Sequence, residues 1–181
     1  MALTATIHHC RIQLANIDRN VYADFELRVA RHPSETAEYM LARILAYALE
    51  YEDGIVLTDG VGALDEPAVL VRDLTGRITA WIEVGLPDAQ RLHKGSKLAG
   101  RAAVYAHRDP AQWLAQIAGE KIHRAAELPV YQFERGFMQA ASAALERRSA
   151  LSISLTEGQL YLDIDGKSYG SVVIRHALAQ S

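Results

Sequence analysis

Two acidic positions near the middle of the chain have the types and spacing of a metal site. Asp65 lies just before a predicted strand, in the run 65–67 (Asp-Glu-Pro), and Glu83 lies near the end of the next predicted strand. A turn at 73–76 separates the two strands, and antiparallel strands joined by a hairpin bring the start of the first beside the end of the second. We therefore expect Asp65 and Glu83 to meet at one end of a sheet, where two carboxylates suit Mg²⁺.

Glu83 is unusual because it places a charge in the apolar run 81–84 (Trp-Ile-Glu-Val). An ionised carboxylate on a buried strand needs a cationic partner or a metal. The alternative is a solvated strand end, or an ion pair with Arg91 or Lys94 of the following helix. Pattern alone leaves the metal site and the ion pair both open.

That following helix supplies the candidate cations. Arg91, Lys94 and Lys97 lie three residues apart and share one part of its surface. Lys94 could orient a nucleophilic water or stabilise negative charge in a transition state, although a solvated basic helix face fits the same pattern. Glu38, beside the apolar stripe of the first helix, could complete a metal shell, or it could simply favour the helix dipole.

Other reactive residue types lack a supporting pattern. His8 and His9 are adjacent on a strand and point to opposite faces, and the remaining histidines have no ligand spacing. Cys10 alternates with Ile12 and Leu14, which favours core packing over a nucleophile.

The elements that must position these residues follow from hydrophobic periodicity. Period-two alternation predicts an N-terminal hairpin from strands near 10–14 and 23–29, and a closing meander over 151–174. Helical spacing predicts a first helix capped by Ser34 and ending near Leu49, with later helices near 88–98, 110–118 and 134–145. Short strands at 55–57, 69–71, 78–84, 102–105 and 128–133 lie between them. The fold class is therefore α/β or α+β, with a mixed sheet and helices on its faces, in one domain over 1–181.

Composition restricts the function classes further. The chain has 181 residues, 19 basic and 22 acidic, and a formal net charge of −3, which excludes broad charge-driven coating of nucleic acid. The single cysteine excludes a disulfide framework and indicates a reducing compartment. We see no signal peptide and no apolar run long enough to cross a membrane, so we expect a cytoplasmic protein.

Three stretches carry a resemblance to a known family. These are 31–36 (Arg-His-Pro-Ser-Glu-Thr), the triplet 65–67, and 81–88 (Trp-Ile-Glu-Val-Gly-Leu-Pro-Asp) followed by Arg91 and Lys94. Together they closely resemble the bacterial YaeQ family, over essentially the whole chain. The resemblance implies a variant of the PD-(D/E)XK nuclease-like, restriction-endonuclease-like fold. Such a fold has a central mixed sheet flanked by helices, with additional N- and C-terminal antiparallel strands.

The resemblance also assigns roles by position. Asp65 resembles the Asp of the nuclease signature and Glu83 its Asp/Glu, while Glu38, or else Glu35, resembles the carboxylate of the first helix. Glu66 remains a rival metal ligand because the proline follows the acidic pair. The signature lysine should stand two residues after Glu83, where this chain has Gly85, so Lys94 of the next helix is its candidate replacement.

Two function classes follow. The first is a Mg²⁺- or Mn²⁺-dependent nuclease-like phosphodiester hydrolase, with Asp65, Glu83 and Lys94 as catalytic residues and Glu38 or Glu66 as further metal ligands. The second is a non-catalytic module on a degenerate nuclease fold that binds nucleic acid or a protein. Family association alone suggests a partner in the transcription machinery.

Overall fold

The computed structural model describes residues 4–59 and 65–178. Strands β1 (Thr6–Asn16) and β2 (Val21–Arg31) form a long antiparallel hairpin in which Ile12 pairs with Phe25. One face of the hairpin carries buried apolar side chains and the other is exposed, as strict alternation requires. The predicted N-terminal hairpin is confirmed.

The remaining elements follow in chain order, with helices where apolar residues recur at helical spacing and strands where they alternate or run together. They are α1 (Ala37–Leu49), β3 (Ile55–Leu57), β4 (Val69–Arg72), β5 (Ile78–Val84), α2 (Ala89–Leu98), β6 (Arg101–Ala106), α3 (Ala111–Ile117), a 3₁₀ turn (Ala125–Glu127), β7 (Pro129–Gln132), α4 (Arg135–Ala143), β8 (Arg148–Thr156), β9 (Gln159–Ile164), β10 (Lys167–Val172) and β11 (Ile174–Ala177).

These strands form two mixed sheets. The outer sheet has the order β10-β9-β8-β1-β2, and the central sheet has the order β11-β7-β6-β5-β4-β3. Strands β3, β4 and β5 are antiparallel, whereas β5, β6 and β7 are parallel and are connected through helices. The α+β class is confirmed. Two pairings go beyond the sequence prediction, because β8 joins β1 in parallel and β11 leaves the closing meander to join the central sheet.

Helices separate and cover the two sheets. Helix α1 lies between them, and nine of its thirteen residues are buried, which explains its nearly continuous apolar sequence. Helices α2 and α3 cover the opposite face of the central sheet, where Trp81, Leu92 and Trp113 form a second core cluster. None of the helices in the described ranges is long and apolar enough to cross a membrane.

The start of α1 differs from the prediction. Its N-cap is Thr36, whose side chain accepts a hydrogen bond from the Tyr39 amide, whereas Ser34 instead contacts the His32 ring. Glu35 precedes the helix and turns inward, where it forms an ion pair with Arg43 at 3.0 Å, with both side chains fully buried. The prediction that Ser34 caps α1 was wrong. A cap at Ser34 would make Glu35 the first helical residue, whereas Glu35 must lie before the helix to pair with the buried Arg43 charge.

Candidate functional site

The hairpin of β4 and β5 brings the predicted site residues to one end of the central sheet. Val69 pairs with Ile82, so the residues before β4 lie beside the end of β5, where Glu83 stands. The Glu83 side chain is buried and faces the side of the sheet that α2 covers, together with Trp81. This register places the segment that carries Asp65 at the same end of the sheet as Glu83.

Glu83 is held by two donors. Nε1 of Trp81 donates to its Oε1 at 2.7 Å, and Nε of Arg91 donates to the same oxygen at 2.6 Å. Burial raises the pKa of Glu83, and the Arg91 charge and the two hydrogen bonds only partly oppose this rise. Of the two alternatives that the sequence left open, the structure contains the ion pair with Arg91.

The segment before β4 is held by the same helix. The Arg91 guanidinium also donates to the backbone carbonyl of Glu66, and Lys94 Nζ lies 4.0 Å from an Asp65 carboxylate oxygen. The Asp65 side chain is 94% exposed and that of Lys94 is 60% exposed, so this second contact is a weak surface pair. Helix α2 thus joins the 65–66 segment to β5 through its cations.

Local sequence explains how α2 reaches this position. Asp88 caps the helix by accepting from the Arg91 amide at 2.8 Å, and Leu92 is buried in the core beneath it. Gly95 lies directly against the Trp81 ring, and a Cβ there would lie 2.4 Å from a ring carbon. The missing side chain allows α2 to pack close enough for Arg91 to reach Glu83. A shallow pocket of about 260 Å³ lies beside it, lined by Asp65, Asp88 and Lys94 among others.

Glu38 lies in a different pocket. Helix α1 packs against the opposite face of the central sheet from α2, and Glu38 lines a cavity that also contains His107 and Arg108. Burial and the Arg108 charge lower the pKa of His107, with Glu38 acting in the opposite direction. Glu38 therefore does not line the pocket that contains Asp65 and Lys94.

The donor set does not fit a divalent ion in this arrangement. The Glu83 oxygen accepts from two N–H groups, Asp65 faces solvent, and Glu66 contributes a backbone carbonyl to Arg91. Within residues 4–59 and 65–178, no group of three or more His, Cys, Asp or Glu side chains is placed to hold a metal. The metal roles of Asp65, Glu83, Glu38 and Glu66, and the catalytic role of Lys94, stay predictions.

The structure extends the basic face of α2 with a segment that sequence spacing did not reveal. We call it the α2 patch and define it as His93, Lys94, Lys97, Lys121 and His123. The His123 amide donates to Nδ1 of His93 at 3.0 Å, and the two rings pack edge to face. Partial desolvation and the charges of Lys97, Lys121 and His123 lower the pKa of His93. The only signal in the sequence was the Lys94–Lys97 pair, because the 121–123 segment arrives from beyond α3.

Arg101, although it follows α2 closely in sequence, does not belong to the α2 patch. Arg101, on β6, pairs with Glu50 at 2.5 Å and with Glu52 at 3.1 Å. Its charge is therefore neutralised by acidic residues that follow α1 and does not join the α2 patch.

Comparison with known proteins gives consistent results. The family model described as "YaeQ protein" matches residues 1–172. The chain is 35% identical over 163 residues to "Uncharacterized protein YaeQ" from Salmonella typhi, covering 90% of both chains. It is 34% identical over 166 residues to the protein of the same name from Escherichia coli K12, covering 91% of this chain and 92% of the relative.

Two crystal structures share the fold. The YaeQ protein from Xanthomonas axonopodis pv. citri superposes with a TM-score of 0.88 at 29% identity, over 96% of this chain and 99% of that structure. The YaeQ protein from Pseudomonas syringae gives a TM-score of 0.85 at 27% identity, over 94% and 95%.

Proposed function

The chain belongs to the YaeQ family. We propose that it is a non-catalytic module that binds the phosphate backbone of nucleic acid through the α2 patch. The observation that carries this proposal is the gathering of cations from α2 and from the 121–123 segment on one surface. Lysine side chains so placed can replace counterions along a phosphate backbone.

The α2 patch is also held in a fixed arrangement. Ser96 donates its hydroxyl to the His123 carbonyl at 2.5 Å, and Arg124 donates to the carbonyls of Ser96 and Ala99 at 3.3 and 3.2 Å. These bonds fix the 121–124 segment against α2. The fold, and not the ligand, therefore provides the ordering that holds the 121–124 segment on the same surface as α2.

Two features favour binding without catalysis. The first is that Arg91 and Trp81 already donate hydrogen bonds to the Glu83 carboxylate, which a metal would need as a ligand. Gly85, which stands at the position of the signature lysine, has φ +102°, and a Cβ there would lie 3.2 Å from the Tyr39 ring. The second is that a lysine at this position would have a strained backbone in any side-chain conformation. The central sheet with helices on both faces supports descent from a nuclease-like core that has lost this machinery. The buried, unpaired Cys10 supports a cytoplasmic location.

Fluorescence anisotropy with labelled duplex DNA and single-stranded RNA tests the proposal. We expect binding that weakens with salt, and we expect the double variant K97Q/K121Q to reduce the slope of log affinity against log salt by roughly 1.8 on duplex DNA. The charge-matched control K167Q/R77Q, on exposed residues outside the α2 patch, should keep the wild-type slope. Absence of binding, or an equal loss in both variants, would contradict the proposal.

Metal-dependent phosphodiester hydrolysis is the second candidate. The observation in its favour is that Asp65, Asp88 and Lys94 line one pocket beside the Glu83 pair. It requires Arg91 to leave Glu83. Calorimetric titration of Mg²⁺ and Mn²⁺ into wild type and into D65A/E83A, followed by a nuclease assay, separates the candidates. Ion binding that the double variant abolishes, with ion-dependent cleavage, would replace the first proposal by the second.

A further inference from the structure

A well-formed pocket lies at the carboxyl ends of the parallel strands of the central sheet. It has a volume of about 590 Å³ and is lined by His107, Arg108 and Asp109, which follow β6, by residues 132–139 at the end of β7 and the start of α4, and by Thr36 and Glu38 at the start of α1. Ligands of open α/β sheets bind outside the carboxyl ends of parallel strands, and small-molecule pockets have about this volume.

Two cations in this pocket have no partner among residues 4–59 and 65–178. Arg108 and Arg135 come from different loops and are both exposed. Neither forms an ion pair or a side-chain hydrogen bond within the described ranges, in contrast to Arg91 and Arg101. A guanidinium pair that converges on one cavity is suited to an anionic group, since arginine binds phosphate oxygens with paired N–H donors.

A residue that lines the pocket also carries an unsatisfied polar atom. Nδ1 of His107 is buried and has no hydrogen-bond partner among the described residues. Such buried polar atoms are uncommon, because leaving one unpaired costs free energy. The His107 ring lines the pocket, and its centroid lies 5.4 Å from that of the Tyr39 ring.

The rest of the lining is polar but not cationic. Glu38, Gln132 and Gln139 are side chains of the kind that hydrogen-bond to sugar hydroxyls, and Phe133 and Met138 supply apolar contact surface. Oε1 of Gln132 lies 2.8 Å from Nε2 of His176, which leaves the amide NH₂ of Gln132 for a ligand. No hydrogen bond to another residue of the described chain engages the Glu38 carboxylate. The pocket thus combines an anion-binding corner with hydroxyl-binding groups, in a space larger than phosphate alone would need.

We propose that this pocket binds a small sugar phosphate. Arg108 and Arg135 hold the phosphate, while Glu38, Gln132 and Gln139 receive the hydroxyl groups of the sugar. The site is independent of the nucleic-acid proposal, because it lies by α1 and α4 and not on the α2 face of the central sheet. The pocket is concave and suits a small molecule, whereas the α2 patch is a surface that suits a polymer.

Isothermal titration calorimetry with ribose 5-phosphate tests the proposal, with inorganic phosphate and ribose as separate titrants. We expect ribose 5-phosphate to bind more tightly than either component. R108Q/R135Q should weaken it by roughly tenfold or more for each arginine. E38Q should weaken ribose 5-phosphate and leave inorganic phosphate unchanged. The control R77Q/R147Q, two exposed arginines outside the pocket, should behave as wild type.

Several outcomes would overturn the proposal. These are no heat from ribose 5-phosphate at millimolar concentration, affinity equal to that of inorganic phosphate, and an equal loss in R108Q/R135Q and R77Q/R147Q. Circular dichroism of R108Q/R135Q establishes that it is folded. Because both arginines are exposed and unpaired, we expect its melting temperature to match wild type. The α2 variant K97Q/K121Q should bind ribose 5-phosphate normally, so failure here is distinguishable from failure of the nucleic-acid proposal.

Discussion

Replacing Arg91 by methionine should expose how strongly the Glu83 carboxylate depends on its partner. Methionine keeps part of the apolar stem and removes the guanidinium. Trp81 would then be the remaining hydrogen-bond donor to a buried carboxylate. The free energy of unfolding of the variant therefore measures how much the ion pair stabilises the folded chain.

The magnitude follows from burial. Removing one partner of a buried ion pair typically costs about 3–5 kcal/mol, because an unpaired charge remains in the interior. The Glu83 side chain is 5% exposed but that of Arg91 is 28% exposed, so water partly screens the pair. We expect R91M to lower the free energy of unfolding by about 2–3 kcal/mol at pH 7, which lowers the melting temperature by roughly 4–12 °C.

The loss should depend on pH in a defined direction. Burial already raises the pKa of Glu83 in the folded protein, and removal of the Arg91 charge raises it further. A carboxyl whose folded pKa is raised destabilises the fold when ionised, and this penalty disappears as pH falls below the folded pKa. The R91M defect should therefore be largest at neutral pH and should shrink as the solution becomes acidic.

Urea unfolding of wild type, R91M, E83Q and R91M/E83Q across this pH range measures the effect. The double variant should lose less than the sum of the two single losses, because each single variant strands the other group. A pH-independent defect, or additive losses, would show that Arg91 does not stabilise a buried carboxylate.

Three further predictions concern packing, a second ion pair and the thiol. G95A should lower stability and weaken nucleic-acid binding together, because its Cβ would lie 2.4 Å from the Trp81 ring and displace α2. Thermal melting measures the stability and anisotropy measures the binding. An unchanged melting temperature would contradict this prediction. E35Q should cost about 3 kcal/mol or more in urea unfolding, since the fully buried Arg43 would lose its counter-charge, and an equally stable variant would refute this. Cys10 should resist a thiol reagent at pH 8 until the protein unfolds, because burial raises its pKa to about 11; fast labelling of the native protein would contradict this.

Local pattern determined most of the secondary structure. The alternation around Ile12 and Phe25 predicted the first hairpin, and the apolar stripe through Leu41 and Leu45 predicted α1, because these periodicities reflect neighbours in sequence. The start of α1 was misplaced because the decisive contact, Glu35 with Arg43, lies across the N-cap and requires a buried arginine that periodicity does not reveal.

The candidate site divides in the same way. The sequence by itself identified Glu83 as a charge that needs a partner, placed it at a sheet end with the 65–66 segment, and named Arg91 as one possible partner. It could not choose between that arginine and a metal, because the choice depends on how closely α2 packs, and Gly95 against Trp81 decides this.

Only the tertiary structure decided which segments that are distant in sequence come into contact. The parallel pairing of β1 with β8 creates the second sheet, and the packing of α1 on the other face of the central sheet puts Glu38 in another pocket. The same long-range packing brings the 121–123 segment against α2, and it brings Arg108 and Arg135 to one cavity. Sequence patterns report the burial of each residue among its neighbours. Contacts between distant segments arise from the docking of whole elements, and no local pattern specifies that docking.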